Sequence, residues 1–395
     1  MNGSFSELGL SAPLLQALET CGYKTPTPIQ AQAIPPILQG HDIIGAAQTG
    51  TGKTAAFALP SLQRLEKSTG ITRCLALVPT RELAIQVEEN FKRYGQHAGL
   101  RIALLYGGVD YNAQIRALRE GADVIVATPG RLLDLWQRHD IRLDKVEVLI
   151  LDEVDRMLDM GFIEDVSRII NLCPRERQTL LFSATVEKSI LNIAKWALRD
   201  PQIIDARSGA TTAETVEHYV YPVESYQKYD LLLALLAETH FKSVLVFTRT
   251  KRDADRITEW VESTTHRVAT LHADRSQSER TEALAGFKSG KYQVLVATDV
   301  AARGLDVRGI SHVINYNVPD HPEDYVHRIG RTGRASEEGK AFTLFSPDEI
   351  LYLQAVERLL GKTIERRRLG SFKYRFEPMM GNSAPTSLST RRRNR

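Results

Sequence analysis

A glycine-bearing segment near the amino terminus has the residue types of a phosphate-binding loop. Residues 47–54 read AQTGTGKT, after the apolar stretch DIIGA and before a segment with helical spacing. In such loops, glycines let backbone N–H groups surround phosphate oxygens, a lysine reaches the outer phosphates, and a hydroxyl offers a ligand to Mg²⁺. Lys53 and Thr54 would fill these roles, although Ala47 stands where the general pattern has its first glycine. The structural alternative is a plain glycine-rich turn before a helix.

Two neighbouring carboxylates could complete a hydrolytic site. Asp152 and Glu153 follow the apolar run VLIL. One carboxylate can hold Mg²⁺ while the other polarises an attacking water, which is the division of labour that nucleotide hydrolysis needs. An acidic strand-to-helix turn with Asp155 as its N-cap is the alternative, and the phosphate loop makes it the weaker one.

The elements that must position these groups alternate along the chain. Short β-branched and aliphatic runs separated by helical patterns begin at Cys74, Ile102, Val124, Val146 and Thr179, and again at Val244, Val268, Val294, His312 and Ala341. This alternation predicts an α/β fold of two domains, each a mostly parallel sheet with helices on both faces. The small polar segment ARSGATTAET, residues 206–215, suits a short flexible linker. Ligands of such sheets bind beyond the carboxyl ends of the strands, so two facing sheets would form a cleft.

Composition limits the class of protein. The 395 residues are 43% hydrophobic and 25% charged, and no apolar run approaches the roughly 18 residues that span a bilayer, so we expect no membrane role. Three cysteines without disulfide or metal spacing, and a start without a leader pattern, indicate a cytoplasmic location. The net charge of +3 conceals ten basic and two acidic residues from Lys362 onward, a local charge of +8 that leaves −5 for the rest.

Further motifs, in a fixed order from about residue 5 to 345, resemble those of the DEAD-box RNA helicases of superfamily 2. GYKTPTPIQ (22–30) with Phe5 upstream resembles the Q motif of that family. Each motif is weak alone, but their common order makes the resemblance specific. The run RMLDMGF (156–162) favours the bacterial RhlE-like subgroup. The other matching segments are PTRELA (79–84), the glycine pair 107–108, TPGR (128–131), SAT (183–185), VFTRT (246–250), LHADRSQSER (271–280), ATDVAARGLD (297–306) and HRIGRTGR (327–334).

The resemblance implies two RecA-like domains and an ATP site. It places an ATP-binding domain at 1–207 with its Q motif at 5–30, a linker at 208–216, a helicase C-terminal domain at 217–370 and a basic disordered tail at 371–395. ATP contacts are expected at Phe5, Tyr23, Thr25, Gln30, Ala47, Gln48, Thr49, Gly50, Thr51, Gly52, Lys53, Thr54, Gly304 and Asp306. Catalytic roles are expected for Lys53, Thr54, Asp152, Glu153, Asp155, Ser183, Thr185, His327, Arg331 and Arg334, and Mg²⁺ ligation, partly through water, for Thr54 and Asp152.

The resemblance also implies RNA as partner, gripped mostly through phosphate and sugar, so that sequence preference is low. For Arg249 a surface ion pair with Asp or Glu is the alternative, and for His327 a helix-capping or core role. RNA contacts are expected at Pro79, Thr80, Arg81, Gly107, Gly108, Thr128, Pro129, Gly130, Arg131, Thr248, Arg249, Gln277, Arg280, Thr298, Asp299 and Arg303.

The activity implied is an ATP-dependent RNA helicase that hydrolyses ATP when RNA is bound and locally unwinds short duplexes or remodels ribonucleoproteins. Ribosome assembly or RNA-degradation proteins are possible partners. An ATP-dependent RNA clamp or assembly scaffold needs the same motifs and stays open. A DNA helicase of the same superfamily is disfavoured by the Q motif and the GRTGR form of the last motif, and a P-loop metabolic kinase does not account for the second sheet with HRIGRTGR.

Three residues depart from the family pattern. Val154 replaces alanine in the DEAD motif, which adds two methyl groups at a position expected to be buried. Ala273 replaces a glycine in the usual LHGD, and Asn317 replaces an aspartate after VINY. None of the three removes a group assigned to chemistry, so we expect activity to survive.

Overall fold

The structure is a computed structural model that describes residues 3–47, 50–206, 216–302, 310–332 and 339–375. Its described residues divide into two compact units, one before and one after the segment 207–215. Most of the predicted linker lies outside the described residues, as do residues 376–395 of the predicted tail. The predicted site residues Gln48, Thr49, Arg303, Gly304, Asp306 and Arg334 lie outside them too.

The first unit is built on a seven-stranded parallel sheet in the order β3-β4-β2-β5-β6-β1-β7. Alternate residues of β1 to β6 pack against two different core clusters: Ile150 of β5 lies in one, and Leu149 and Leu151 lie in the other. Both faces of this sheet are therefore covered, as its continuous apolar runs predict. The strands are β1 Ile43–Ala46, β2 Cys74–Leu77, β3 Ile102–Leu105, β4 Val124–Ala127, β5 Val148–Leu151, β6 Gln178–Ser183 and β7 Gln202–Asp205.

Helices of the first unit fall into two groups by the cluster they join. Residues of α2, α3 and α4 enter the cluster on one face, and residues of α6, α7, α8 and α9 enter the cluster on the other. The helices are α1 Ala12–Thr20, α2 Pro28–Leu38, α3 Lys53–Leu65, α4 Arg81–Tyr94, α5 Tyr111–Arg119, α6 Pro129–Gln137, α7 Val154–Asp159, α8 Ile163–Leu172 and α9 Lys188–Ala197.

The second unit repeats this plan with a parallel sheet in the order β10-β11-β9-β12-β13-β8-β14. Its strands are β8 Val216–Pro222, β9 Val244–Thr248, β10 Val268–Leu271, β11 Val294–Thr298, β12 His312–Asn315, β13 Gly339–Phe345 and β14 Glu365–Arg366. Its helices are α10 Lys228–Glu238, α11 Lys251–Glu262, α12 Gln277–Lys288, α13 Asp299–Ala302, α14 Pro322–Ile329 and α15 Ile350–Leu360.

Parallel pairing brings the predicted motifs of each unit to one edge of its sheet. In the first unit the phosphate loop follows β1, the acidic pair follows β5 and the SAT motif begins at the end of β6. The predicted fold class is confirmed in both units, and every strand run named from the sequence forms a strand. None of the helices in the described ranges is long and apolar enough to cross a membrane.

The second unit begins and ends close to the predicted boundaries. β8 begins at Val216, one residue before the predicted start of the domain. At the other end, the Gln227 side-chain amide donates to the Lys373 carbonyl at 3.1 Å, and its oxygen accepts from the Arg375 N–H at 3.0 Å. Packing therefore continues five residues beyond Gly370, the predicted end of the folded part.

Candidate functional site

The phosphate loop joins β1 to α3 through glycines in left-handed backbone conformations. Gly50 has φ 86° and Gly52 has φ 92°, values that residues with a Cβ rarely adopt. Gly52 is the N-cap of α3, so the loop ends at the amino end of a helix of 13 residues. The free N–H groups and the helix dipole there favour binding of an anion. Ala47, at the first-glycine position, is buried, and its N–H donates to the Ser183 carbonyl at 3.1 Å.

The loop lysine is buried without a hydrogen-bond partner. Lys53 is only 6% exposed, and its Nζ makes no hydrogen bond to any described residue. A buried ammonium without a partner costs several kcal/mol unless an anion compensates it. Thr54, the second residue of α3, is half-buried. This arrangement fits a bound polyphosphate.

The acidic pair follows β5 in a strained turn. The Asp152 N–H donates to the Leu77 carbonyl at 3.0 Å, and the Asp152 carboxylate accepts from the Glu153 N–H at 2.9 Å. Glu153 has φ 54° and ψ 51°, a left-handed conformation that is unfavourable for a non-glycine residue. Burial raises the pKa of Asp152 to about 6; the Lys53 ammonium opposes this rise, and Glu153 adds to it. A carboxylate in this position gains from a bound cation.

The SAT motif is hydrogen-bonded to the last residue of DEVD. The Ala184 N–H donates to Asp155 Oδ2 at 3.1 Å, and the Thr185 N–H donates to Ser183 Oγ at 3.3 Å. Ser183 is fully buried at the end of β6. Asp155 thus connects the hydrolytic turn with the strand beside it.

The Q motif contacts the phosphate loop directly. The Gln30 Nε2 donates to the Gly52 carbonyl at 3.1 Å, and the Gln30 Oε1 accepts from the Thr27 N–H at 2.9 Å. A Cβ at Gly52 would overlap the Gln30 amide, which is a second reason for glycine there. Phe5 is buried in the core and meets the Tyr23 ring edge-on at 6.3 Å, while Thr25 is exposed.

Three predicted RNA-contacting segments of the first unit meet at one loop. The Arg81 guanidinium lies against Gly108, where a Cβ would overlap it. Arg131 donates to the Val109 carbonyl at 2.9 Å and lies 4.0 Å from the centroid of the Tyr111 ring. Arginines packed on backbone and aromatic rings in this way keep donors available for phosphate. Of the other members of these segments, Pro79, Thr80 and Pro129 are buried, Gly107 and Thr128 are half-buried, and Gly130 is exposed.

Thr80 has a structural role of its own. Its Oγ1 accepts from the Leu83 N–H at 3.3 Å and so caps the amino end of α4. Removing such a cap typically costs about 1 kcal/mol. Loss of RNA affinity on changing Thr80 would therefore combine two effects.

Arg249 adopts the ion-paired arrangement that was the alternative to RNA binding. Its Nη2 lies 3.0 Å from Asp320 and 3.7 Å from the buried Glu349, and it donates to the Val318 carbonyl at 3.1 Å. Its backbone N–H donates to Asn317 Oδ1 at 3.0 Å, so the residue that replaces the usual aspartate still accepts this bond.

Arg328 is a residue of the second unit that sequence reasoning missed. It is 2% exposed and grips both oxygens of Asp299 at 2.6 Å. It also donates to Asn315 Oδ1 at 3.3 Å and to the Asn317 carbonyl at 2.8 Å. Arg328 therefore connects α13, α14 and the end of β12. The sequence feature that could have identified Arg328 is its position between His327 and Arg331 in the segment HRIGRTGR.

The remaining predicted residues of the second unit lie on or beside α12, β11 and α14. Gln277 begins α12, and its buried Oε1 has no hydrogen-bond partner among the described residues. Arg280, Thr248, Thr298 and Arg331 are buried. His327 is half-buried, with its Nδ1 3.9 Å from Asp324.

Comparison with known proteins adds a family assignment to this geometry. A family model for the DEAD/DEAH box helicase matches residues 27–193, and one for the helicase conserved C-terminal domain matches residues 227–336. The chain is 46% identical to the DEAD-box ATP-dependent RNA helicase CshA of Bacillus cereus (strain ATCC 10987 / NRS 248), across 92% of this chain and 69% of that protein. For CshA of Geobacillus kaustophilus the identity is 44%, across 92% and 78%.

A solved structure agrees with both findings. The structure of S. cerevisiae Dbp5 bound to RNA and ADP BeF3 matches with a TM-score of 0.82 and 32% identity, across 93% of this chain and 95% of that one.

Proposed function

This chain belongs to the DEAD-box ATP-dependent RNA helicases, and we propose that the site described above carries out RNA-dependent hydrolysis of ATP to ADP and phosphate, coupled to local unwinding of short RNA duplexes or remodelling of ribonucleoproteins. The observation that carries this proposal is the buried ammonium of Lys53 at the amino end of α3, which has no hydrogen-bond partner among the described residues. The buried Asp152 and Glu153 lie at the end of β5 on the same edge of the sheet. A cation for phosphate and two carboxylates for metal and water are the parts that this reaction needs.

The residues of this site fit ATP with Mg²⁺. Lys53 and the N–H groups at the start of α3 would hold the phosphates, and Thr54 and Asp152 would hold the metal, partly through water. Within the described ranges, no three His, Cys, Asp or Glu side chains form a group that could bind a metal by themselves. Phosphate and water oxygens are the usual partners of Mg²⁺ in such sites, and the ion neutralises charge on the phosphates.

The reaction then needs a base and further positive charge. Glu153 orients or deprotonates the attacking water, and Asp155 with Ser183 and Thr185 relays the state of the site to the neighbouring strand. By resemblance to the family, we propose Arg331 and Arg334 as arginine fingers, a device that contributes roughly 10³- to 10⁵-fold in rate elsewhere. His327 joins the polar network of that motif, and Gly304 and Asp306 contact the nucleotide.

We propose an RNA grip that is largely independent of sequence. Arg81, Arg131 and Arg280 provide charged donors for phosphate, and backbone and hydroxyl groups of the same segments provide neutral ones. Arg249, with its ion pairs, contributes through the shape of its loop as much as through direct contact. Structured or duplex RNA is the substrate class, and ribosome assembly or RNA-degradation proteins are candidate partners.

The subgroup of the family and the cellular location of the protein are further predictions. The RMLDMGF run favours an RhlE-like enzyme, whereas the relatives named above are called CshA. We therefore leave the subgroup as a prediction that activity on defined RNAs would test. Three free cysteines, of which Cys74 and Cys173 are buried, are compatible with the proposed cytoplasmic location.

Replacing Glu153 tests the chemistry. Glu153→Gln keeps the size of the side chain but removes the base, so ATP turnover should be abolished while RNA binding in the presence of ATP persists. Glu147→Gln, at the opposite end of β5 with a side chain 45% exposed, is the matched control and should behave as the parent protein. Undiminished turnover in Glu153→Gln would refute the assigned role.

A strand-separation assay distinguishes the helicase from the alternative of an RNA clamp. A short RNA duplex with one labelled strand is incubated with the protein and ATP, and release of that strand is followed beside ATP turnover. The helicase releases the strand in proportion to ATP hydrolysed. A clamp would hydrolyse ATP and stay bound without releasing it.

A further inference from the structure

Arg156 forms a buried ion pair with the side chain assigned as the base. It lies three residues after Glu153 on the first turn of α7, and its Nη1 contacts Glu153 Oε2. The two side chains are only 9% and 7% exposed. Arg156 is the first residue of the run RMLDMGF, to which the proposed function gives no role.

Both the backbone of the turn and Arg156 restrict the orientation of the Glu153 side chain. Glu153 adopts its left-handed conformation as the N-cap of α7, with its N–H on Asp152. The Arg156 N–H in turn donates to the Glu153 carbonyl and to Asp155 Oδ1, each at 3.1 Å. Arg156 and Glu153 therefore belong to the same turn. The Glu153 carboxylate is held by its own backbone on one side and by the Arg156 guanidinium on the other.

Burying the Arg156–Glu153 ion pair destabilises the folded protein unless the attraction between the two charges offsets their loss of hydration. Removing two charges from water costs several kcal/mol per ion, and the mutual attraction repays this cost only with good geometry. An arginine also suits a partner that must accept a proton, because a guanidinium is not deprotonated in proteins and cannot exchange its own proton with the carboxylate.

We propose that Arg156 is a positioning residue for hydrolysis, which holds the Glu153 carboxylate in the orientation that receives the proton of the attacking water. This inference rests on the proposed function of Glu153. In the step concerned, the water oxygen forms a bond to the γ-phosphorus, the bond from that phosphorus to the bridging oxygen breaks with its electron pair going to ADP, and the water proton passes to Glu153. Arg156 touches none of the reacting atoms and acts only through Glu153.

The chain offers a matched control for a buried arginine without this role. As whole residues Arg177 and Arg156 are equally exposed, at 7%, but Arg177 donates to the Pro174 and Ala197 carbonyls at 2.6 and 3.3 Å. Arg177→Met therefore reports what the loss of a buried guanidinium does to folding alone. Arg156→Lys keeps a cation and tests rescue by the conservative replacement.

The test measures kcat, the KM for ATP and the apparent affinity for RNA in the full chain carrying Arg156→Met, Arg156→Lys or Arg177→Met. Loss of the residue that orients a metal ligand typically costs roughly 10- to 100-fold, and by analogy we expect kcat of Arg156→Met to fall by a similar factor. KM for ATP and RNA affinity should stay within about threefold, Arg156→Lys should recover part of kcat, and Arg177→Met should keep kcat per folded molecule. Thermal melting of each variant gives the folded fraction.

Three results would overturn the inference: a kcat of Arg156→Met within threefold of the parent, parallel losses of kcat and ATP binding in Arg156→Met, or faster turnover without RNA, which would make Arg156 an inhibitor of basal turnover. Glu153→Gln measured beside them separates the two proposals. If Glu153→Gln retains turnover, the assignment of Glu153 itself fails; if it loses turnover while Arg156→Met keeps it, only the role of Arg156 fails.

Discussion

Val154 is a departure from the family motif at a position that carries no reactive group. It is 1% exposed and belongs to the core cluster that also contains Met157 and Leu181. Its neighbours Asp152 and Glu153 keep the backbone contacts described above. The two extra methyl groups are therefore packed in the core, and we expect both carboxylates to keep their function.

Replacing Val154 by alanine should lower stability and spare turnover. Two buried methyl groups at roughly 0.8 kcal/mol each, with a term for the cavity, give a loss of about 2 kcal/mol in the free energy of unfolding. Chemical denaturation measures this loss, and ATP turnover with RNA should stay within a few-fold of the parent. A collapse of turnover with unchanged stability would show that the valine acts on the chemistry instead.

The sequence predicts the role of a residue where a motif requires one kind of chemistry, but it does not predict which side chains pair with each other. Residue type and spacing alone predict roles for Lys53, Asp152 and Glu153, and the structure buries all three side chains. The left-handed backbone of Glu153, the Arg156 contact and the partners of Arg328 depend on which turns the fold brings together. The local sequence alone does not specify these contacts between turns.

At the scale of elements, two strands of the second sheet carry histidines with lowered pKa values, one half-buried (His218) and one buried (His312). Burial lowers the pKa of His218 in β8 and of His312 in β12 to about 4, with nearby Lys362 and Lys340 respectively adding to the effect. The unfolded chain, with an ordinary histidine pKa of 6.5, binds these protons more readily. Their contribution to stability is therefore present above pH 6.5 and is lost as the pH falls from 6.5 toward 4.

The second unit should consequently unfold at lower urea concentration at pH 5 than at pH 7. A Trp136→Phe, Trp196→Phe protein retains Trp260 of α11 as its only tryptophan, so its fluorescence reports on this unit. Adding His218→Asn and His312→Asn should shrink the difference between the two pH values. An unchanged difference would assign the acid sensitivity to other groups.

Strands were predictable from the sequence when both of their faces are buried. Runs such as VLVF and VIVA form central strands, whereas β7, β8 and β14 were missed. β7 is an edge strand of the first sheet with three of its four residues exposed, and β14 is a two-residue strand at an edge of the second sheet. β8 lies between β13 and β14, but its Glu217 is exposed and its His218 and Tyr219 are half-buried. All three missed strands lack the continuous buried apolar run that is typical of strands covered on both faces.

For the whole molecule, the distribution of charge matters more than its net value of +3. The basic groups gather in the motif segments and after Lys362. Packing through Arg375 moves the boundary of the proposed tail, because Gln227 holds the residues just after Gly370. Residues 376–395 carry four arginines and one glutamate.

Deleting residues 376–395 should weaken RNA affinity at low salt and leave turnover at saturating RNA nearly unchanged. For every RNA phosphate that these residues neutralise, the deletion should reduce the slope of log affinity against log salt by about 0.7 for single-stranded RNA. Titration of labelled RNA at several salt concentrations measures the slope. If turnover collapses at all RNA concentrations, these residues support the folded enzyme instead.

Stimulation of ATP turnover by RNA is the most direct test of the central claim, that the buried lysine and carboxylate pair hydrolyse ATP only when RNA is gripped. The rate is measured with saturating ATP and Mg²⁺, first without nucleic acid, then with single-stranded RNA, and then with DNA of the same sequence. We predict a low rate alone, a large increase with RNA and little increase with DNA. Equal rates under all three conditions, or equal stimulation by DNA, would contradict the account.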